Sequence, residues 1–451
     1  MDPPPPPPTV QFISECYITP KPSSEASKKP VFLSVWDLAM LSVHYIQKGL
    51  LFAKPPSFDL TTFLHSLKHS LSLTLLHFYP LAGRLSTAKG EDGADGYTVF
   101  IDCENSPGAR FVQASLHLTI ADILSPRDVP LIVQSFFDHH RAINHDGHGR
   151  SLLTIQVTEL IDGIFLGCSM NHTVGDGTSF WNFLNTFSEI FRANNHQNPI
   201  SRQPIHDRWF PENHGPVLNL PFTHHDQFIS RHEAPPLRER VFHFSPESLA
   251  KLKARANQEC NAATSKISSL QSLSAHVWRC ITRARNFPAT TITSCRMAIN
   301  NRSRLDPPLS NDYFGNYGQT VRGTAAAGEL LERGLGWAAW KLHRAVASHD
   351  DAVIREWVNA WFESAFVYQL GQFFDPCSVM MGSSPRFDMY GVEFGLGKAV
   401  AIRSGYANKF DGKVSLYPGV EGGGSMDLEI CLSPQSMGAL ESDMEFMDTV
   451  A

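Results

Sequence analysis

The sequence predicts an α/β protein with mixed sheets and flanking helices, folded as two domains. Three observations carry that reading. The chain has 451 residues, more than one hydrophobic core normally serves. Period-two segments and helical-period segments follow one another irregularly in both halves, with no repeat of roughly 20–50 residues. Between the halves, residues 193–237 shift to Pro, Asn and His, the composition of a surface crossover. The domains are therefore expected at 1–200 and 237–451, joined by a crossover at 201–236.

The elements follow in order. Residues 10–17 read as a first strand. Residues 36–52 look mixed, with a strand expected after Asp37. Over 58–77, Leu60, Phe63, Leu64, Leu67, Leu71 and Leu75 recur at helical spacing, and Pro80 and Gly83 then turn the chain. Strands are expected at 97–103 and 152–160, with loops and a short helix at 125–137 between them. Asp162-Gly163 leads into an apolar strand at 164–170, and a helix is expected at 178–192. In the second half, 240–244 reads as a strand, and Ser245 with Pro246 starts a helix. A long helix is expected at 265–285, strands at 290–300 and 316–321, and helices at 330–347 and 352–373. Short strands are expected at 388–394, 398–404, 413–417 and 427–432, with a closing helix at 434–446.

Composition narrows the function. Hydrophobic residues make up 42% and aromatic residues 11%, as in a globular protein. The net charge is −6 with no strongly basic run, which argues against nucleic acid as a partner. No apolar run of about 18 residues exists, so no membrane span is expected. The opening MDPPPPPPTV lacks the regions of a signal peptide and reads as a polyproline-like lead-in. The closing DTVA carries no readable targeting signal. The eight Cys form no C-x-x-C pair, so neither a zinc site nor a disulfide framework is expected. A reducing, cytoplasmic setting fits that usage.

The chemistry centres on IFLGCSMNHTVGDG, residues 164–177. A buried strand runs into a Gly-punctuated turn carrying His172 and Asp176, and a helix follows. Such a turn holds an imidazole at fixed geometry, which suits general base catalysis. Asp176 either orients the ring, as in a triad, or pairs with an arginine and holds the turn. With twenty His in the chain, H-x-x-x-D also arises by chance. His145 and His148 lie in a Gly loop without metal-ligand spacing, and no metal site is expected. His139-His140 reads as a helix-end pair.

Several motifs in order make the chain resemble the plant BAHD acyltransferases over nearly its whole length. H-x-x-x-D-G stands at His172–Gly177, and FYPLAGRL at residues 78–85. N-x-R-x-R, PP and YFGN run from Asn300 through Arg302, Arg304, Pro307 and Pro308 to Tyr313-Phe314-Gly315-Asn316. The family's DFGWG corresponds to Glu393-Phe394-Gly395-Leu396-Gly397. The resemblance implies two chloramphenicol-acetyltransferase-like domains with an active-site channel between them, residues of about 385–410 packing on the N-terminal domain. It implies a monomer with no bound cofactor, acyl-CoA as co-substrate and a small-molecule acceptor of plant specialised metabolism. His172 is then the catalytic base for direct acyl transfer to a hydroxyl or amine. Asp176 is structural with Gly177, its partner expected to be Arg302 or Arg304, with Arg296 third. Glu393, Gly395 and Gly397 form a structural motif. Trp36, Tyr313, Leu396 and Arg386 are expected on the substrate side, Arg386 as an anchor for an acidic acceptor. Lys253, Ser272 and Ser274 are expected on the CoA side. EFGLG in place of DFGWG leaves two alternatives: a lyase acting on an acyl-amino-acid conjugate (salicylate-type pathway), and a non-catalytic ligand-binding relative.

Overall fold

Two six-stranded sheets organise the protein. The computed structural model describes residues 8–21, 29–89, 96–193, 200–260, 266–373 and 375–451. The proline tract up to residue 7 and the expected helix start at 265 lie outside them.

The first sheet runs Gln11–Ile18, Ala109–Ser115, Leu153–Glu159, Gly163–Met170, Ile46–Ala53, Ala401–Ser404. Gly163–Met170 is buried at every position. Ile164, Leu166, Cys168 and Met170 join the large core, while Phe165 enters a smaller one on the other face with Phe136 and Phe137. A strand covered on both faces reads as a continuous apolar run, which is why its alternation is hidden in the sequence. The large core is closed by Leu60–His77 and Gly177–Arg192, whose Leu67, Leu71, Phe183 and Phe187 are fully buried. Asp59 caps the first of these helices through the amides of Thr61 and Thr62.

The second sheet runs Arg238–Phe244, Met426–Leu432, Lys413–Pro418, Ser378–Gly382, Ile292–Asn300, Gly318–Ala326, with both pairings of Ser378–Gly382 parallel. Helices Pro246–Glu259, Ser269–Arg285, Leu335–Ala347 and Pro434–Glu441 build its core. A small third sheet joins Val31–Phe32, Tyr97–Asp102 and Arg84–Lys89, with Asn219–Leu220 on Tyr97–Asp102. The two large sheets are not separate in sequence. Ala401–Ser404 pairs antiparallel with Ile46–Ala53, placing Ala401 opposite Leu51 and Ser404 opposite Lys48.

Several elements differ from the sequence reading. Residues 388–394 form no strand. The Asp388 carboxylate accepts from the Gly391 amide at 2.9 Å, a local turn, and Met389, Val392 and Phe394 are core anchors rather than one face of a pleat. Residues 330–347 break into Ala327–Glu332 and Leu335–Ala347, because Arg333 is extended and Gly334 caps the second helix. The helix expected to 373 ends at Glu363, with a separate turn Leu370–Phe373. The mixed segment after Ser34 resolves into helix Val35–Ala39 and strand Ile46–Ala53. Strands Arg84–Lys89, Ala109–Ser115 and Ser378–Gly382 had no expectation.

Candidate active site

His172 follows the buried strand Gly163–Met170 and precedes helix Gly177–Arg192, and the turn between is tied by side-chain and backbone bonds. The Asn171 side chain accepts from the Thr173 amide at 3.0 Å and from its hydroxyl at 2.6 Å. The His172 amide donates to Asn144 Oδ1 at 2.7 Å. Asp176 caps the helix by accepting from the Ser179 amide at 3.1 Å.

The ring is positioned from the second half of the chain. Asn316 Oδ1 lies 3.1 Å from His172 Nδ1. Its amide nitrogen donates to the His172 carbonyl at 2.6 Å and to Asp37 Oδ1 at 2.8 Å. With that nitrogen donating twice, Oδ1 is the acceptor, so Nδ1 of the neutral ring carries the proton. Nε2 keeps its lone pair. Burial pushes the His172 pKa below its ordinary value, against the opposing pull of the Asp176 charge and the Asn316 bond; the charge of Lys413 adds to the lowering.

Asp176 faces away from this ring. Arg302 donates to both its oxygens, at 2.7 and 3.1 Å, and the Tyr317 amide adds a bond at 3.1 Å. Arg302 is 0% exposed and also holds the carbonyls of Tyr313 and Gly315, both at 3.0 Å. Burial pushes the Asp176 carboxyl up, but the Arg302 charge and its hydrogen bonds win and hold it below the usual range. Arg304 is not the partner; its guanidinium donates to the carbonyls of Val346 and His349. Arg296 pairs with Asp375.

A second buried pair braces the same turn. Asp37 accepts from the Asn316 amide at 3.0 Å, from Ser34 and from Arg208 at 2.9 Å. Arg208 donates in turn to the carbonyls of Val174 and Phe314. Asn316, Asp37, Arg208 and Asn144 were not assigned from sequence. Asn316 ends the YFGN motif and Asp37 completes a Ser-x-x-Asp capping box, the two signals available.

The remaining expected residues divide. Trp36 is a core residue rather than a substrate contact: it is 1% exposed, between Trp209, Tyr317 and Trp357. Tyr313 is equally enclosed, its ring beneath the guanidiniums of Arg208 and Arg302. Ser272 and Ser274 are fully buried in helix Ser269–Arg285, with Ser272 bonded back to the Ser268 carbonyl, so neither is open to CoA. Lys253 is exposed. Glu393 is held through its backbone by the Ser188 hydroxyl. Phe394 packs on Phe52, Phe187 and Phe191, and Gly395 and Gly397 take φ of 71° and 78°, which favours glycine. Leu396 is half-buried between them. The neighbouring Phe387 ring packs on Gly177, yet Arg386 is exposed and its side chain has no partner among the described residues. His139 is not at a helix end. It sits in a turn at φ 62°, with its ring on Thr154 at 3.0 Å. The His148 ring nitrogens are taken by Thr87 and the His145 carbonyl, both at 2.8 Å.

This geometry meets matching comparisons. The family model described as the Transferase family matches residues 9–447. An uncharacterized acetyltransferase of Arabidopsis thaliana is 34% identical, covering 97% of this chain and 99% of the relative. The BAHD acyltransferase DCR of Arabidopsis thaliana is 35% identical, covering 97% and 92%. The crystal structure of vinorine synthase superposes with a TM-score of 0.74 over 98% of both chains at 20% identity, which shows a shared fold. The chain therefore belongs to the BAHD acyltransferases of the Transferase family, and is an acyl-CoA-dependent acyltransferase of the two-domain, chloramphenicol-acetyltransferase-like fold.

Proposed function

We propose that the protein transfers an acyl group directly from a CoA thioester to a hydroxyl or amine of a plant specialised metabolite, with His172 as general base. The observation that carries this is the fixed ring: Nδ1 is engaged by Asn316, and Nε2 is left to accept a proton. Nε2 takes the proton of the acceptor, whose oxygen or nitrogen attacks the thioester carbonyl carbon. The tetrahedral intermediate collapses with cleavage of the C–S bond, and the imidazolium returns its proton to the departing thiolate as free CoA. Asp176 is structural in this reading, since its carboxylate is consumed by Arg302, the Tyr317 amide and the helix cap on the Ser179 amide.

A monomer is the state the family resemblance implies. The eight cysteines are free, which supports a reducing, cytoplasmic setting. Among the described residues no helix is long and apolar enough to cross a membrane. The exposed Arg386 gives the lyase alternative no anchor, and the intact His172 turn speaks against a non-catalytic relative.

A panel of acyl-CoA thioesters against phenolic, alcohol and amine acceptors tests the reading. Free thiol should appear in step with acylated acceptor for at least one pair. Cleavage of an acyl-amino-acid conjugate without CoA would overturn it.

The lowered His172 pKa also sets the pH profile. A base that stays neutral below its ordinary value keeps its lone pair further into acid. The acid limb of kcat/KM should have its midpoint below pH 6.5, the ordinary value for histidine. A midpoint above 7 would assign that limb to another group.

A further inference from the structure

We propose that Lys413 and Lys48 form a binding site for a carboxylate carried by one of the two substrates, at the junction of the two large sheets. The proposal rests on the transferase reading and adds the charge of what the site admits.

Lys413 opens strand Lys413–Pro418 of the second sheet. Its ammonium packs against Gly382, where a Cβ would collide with Nζ; glycine leaves it room. Among the described residues, the Lys413 ammonium donates no hydrogen bond and pairs with no carboxylate. Lys48 comes from the other side, on strand Ile46–Ala53 of the first sheet. It donates to the Tyr417 hydroxyl at 2.8 Å and lies 4.7 Å from the centre of that ring. Tyr417 stands on the same strand as Lys413, so both lysines lie at the junction of the two sheets.

The surrounding charges do not balance them. Two carboxylates lie within the cluster, Glu239 and Glu429. Lys409 pairs with Glu239 and lies 3.8 Å from Glu429. Glu429 is 1% exposed and is further occupied by Ser404 and by the Tyr417 hydroxyl. Arg403 adds another cation, its guanidinium donating to the Ile402 carbonyl. Asp427, the next acid, is bound to His243 at 2.6 Å. Four cations thus face three carboxylates, one of them shared with His243. Burying an ammonium without a partner opposes folding, so such a surplus marks a place where an anion is received. Burial, and for Lys413 the charge of Lys48, push both lysines down to about 8, as expected of crowded cations awaiting a counter-ion.

Position narrows the anion. Lys48 lies opposite Cys168 on the strand that runs into the His172 turn, which puts the cluster on the His172 side of the first sheet, and the Lys413 charge reaches the ring. The phosphates of CoA are held away from the thioester by the whole pantetheine arm. What reaches Lys413 is a group on the acyl chain or on the acceptor, and a compact carboxylate suits two ammonium point charges.

Calorimetric titration of the full-length protein distinguishes the two sources. Malonyl-CoA against acetyl-CoA probes the acyl group; shikimate against its methyl ester, with acetyl-CoA present, probes the acceptor. In at least one pair the carboxylate should bind at least about tenfold more tightly than its neutral counterpart. Lys413→Met should abolish that preference and Lys413→Arg retain part of it. Without ligand, Lys413→Met should melt higher than the parent, because it removes an unpaired charge from a buried site. Absence of a preference in both pairs, its survival in Lys413→Met, or a lower melting temperature for that variant would overturn the proposal. His172→Ala should keep the preference while losing turnover, so failure of the base assignment and failure of this site give different results.

Discussion

His172→Ala should lower kcat by about 10²–10⁴, the range for loss of a positioned general base. The fold should be unaffected. The turn is held by the His172 amide on Asn144, by the Asn171–Thr173 bonds and by the Asp176 cap, none of which uses the imidazole. The Asn316 amide also bonds the backbone carbonyl of residue 172 and Asp37, so it keeps its place when the ring is gone. KM should change little, because the ring's loss falls on proton transfer rather than on the walls of the cleft. Steady-state kinetics with a melting curve separates these effects, and turnover near the parent's would remove the mechanism.

Asp176→Asn should do the reverse, destabilising the protein by about 3–5 kcal/mol, the range for breaking a buried ion pair by removing one partner. Arg302 has no exposure and no other acid among its hydrogen-bond partners. An Asn at 176 would retain one oxygen for the Ser179 amide. Its NH2 would then meet the guanidinium or the Tyr317 amide, donor against donor. The midpoint of denaturant unfolding reads the loss, with activity falling only as far as the turn is displaced. An unchanged midpoint would remove the stabilising role given to the pair.

Sequence pattern reached what is local. The strand, turn and helix around His172 lie within one short stretch and carry their own periodicity and caps. The partners of that turn are set by distance along the chain. Asn316 is 144 residues from His172, Asp37 is 279 from Asn316, and Arg208 is 171 from Asp37. No spacing rule spans such separations, and only family motifs pointed to Arg302. The errors have physical causes as well. Ser272 and Ser274 were expected on the CoA side through the family resemblance, but a serine that bonds back to its own helix, as Ser272 does, is cheaply buried. The segment expected as a strand at 388–394 is a loop anchored by Met389, Val392 and Phe394, whose spacing is not that of a pleat. Trp36 was expected near substrate through the family resemblance alone, yet its neighbours are three other aromatic rings.

The strand Ala401–Ser404 has a consequence for recombination among relatives. It belongs to the second half of the chain but forms the edge of the first sheet, along Leu50 and Leu51. A chimera joined in the crossover would lay one parent's edge strand on the other parent's sheet, and one parent's Phe387 and Phe394 on the other's helix Gly177–Arg192. The units that can be exchanged are therefore not halves. A graft meant to preserve packing carries residues 385–410 together with the first sheet, and leaves Asp176 and Arg302 from parents that both keep the pair.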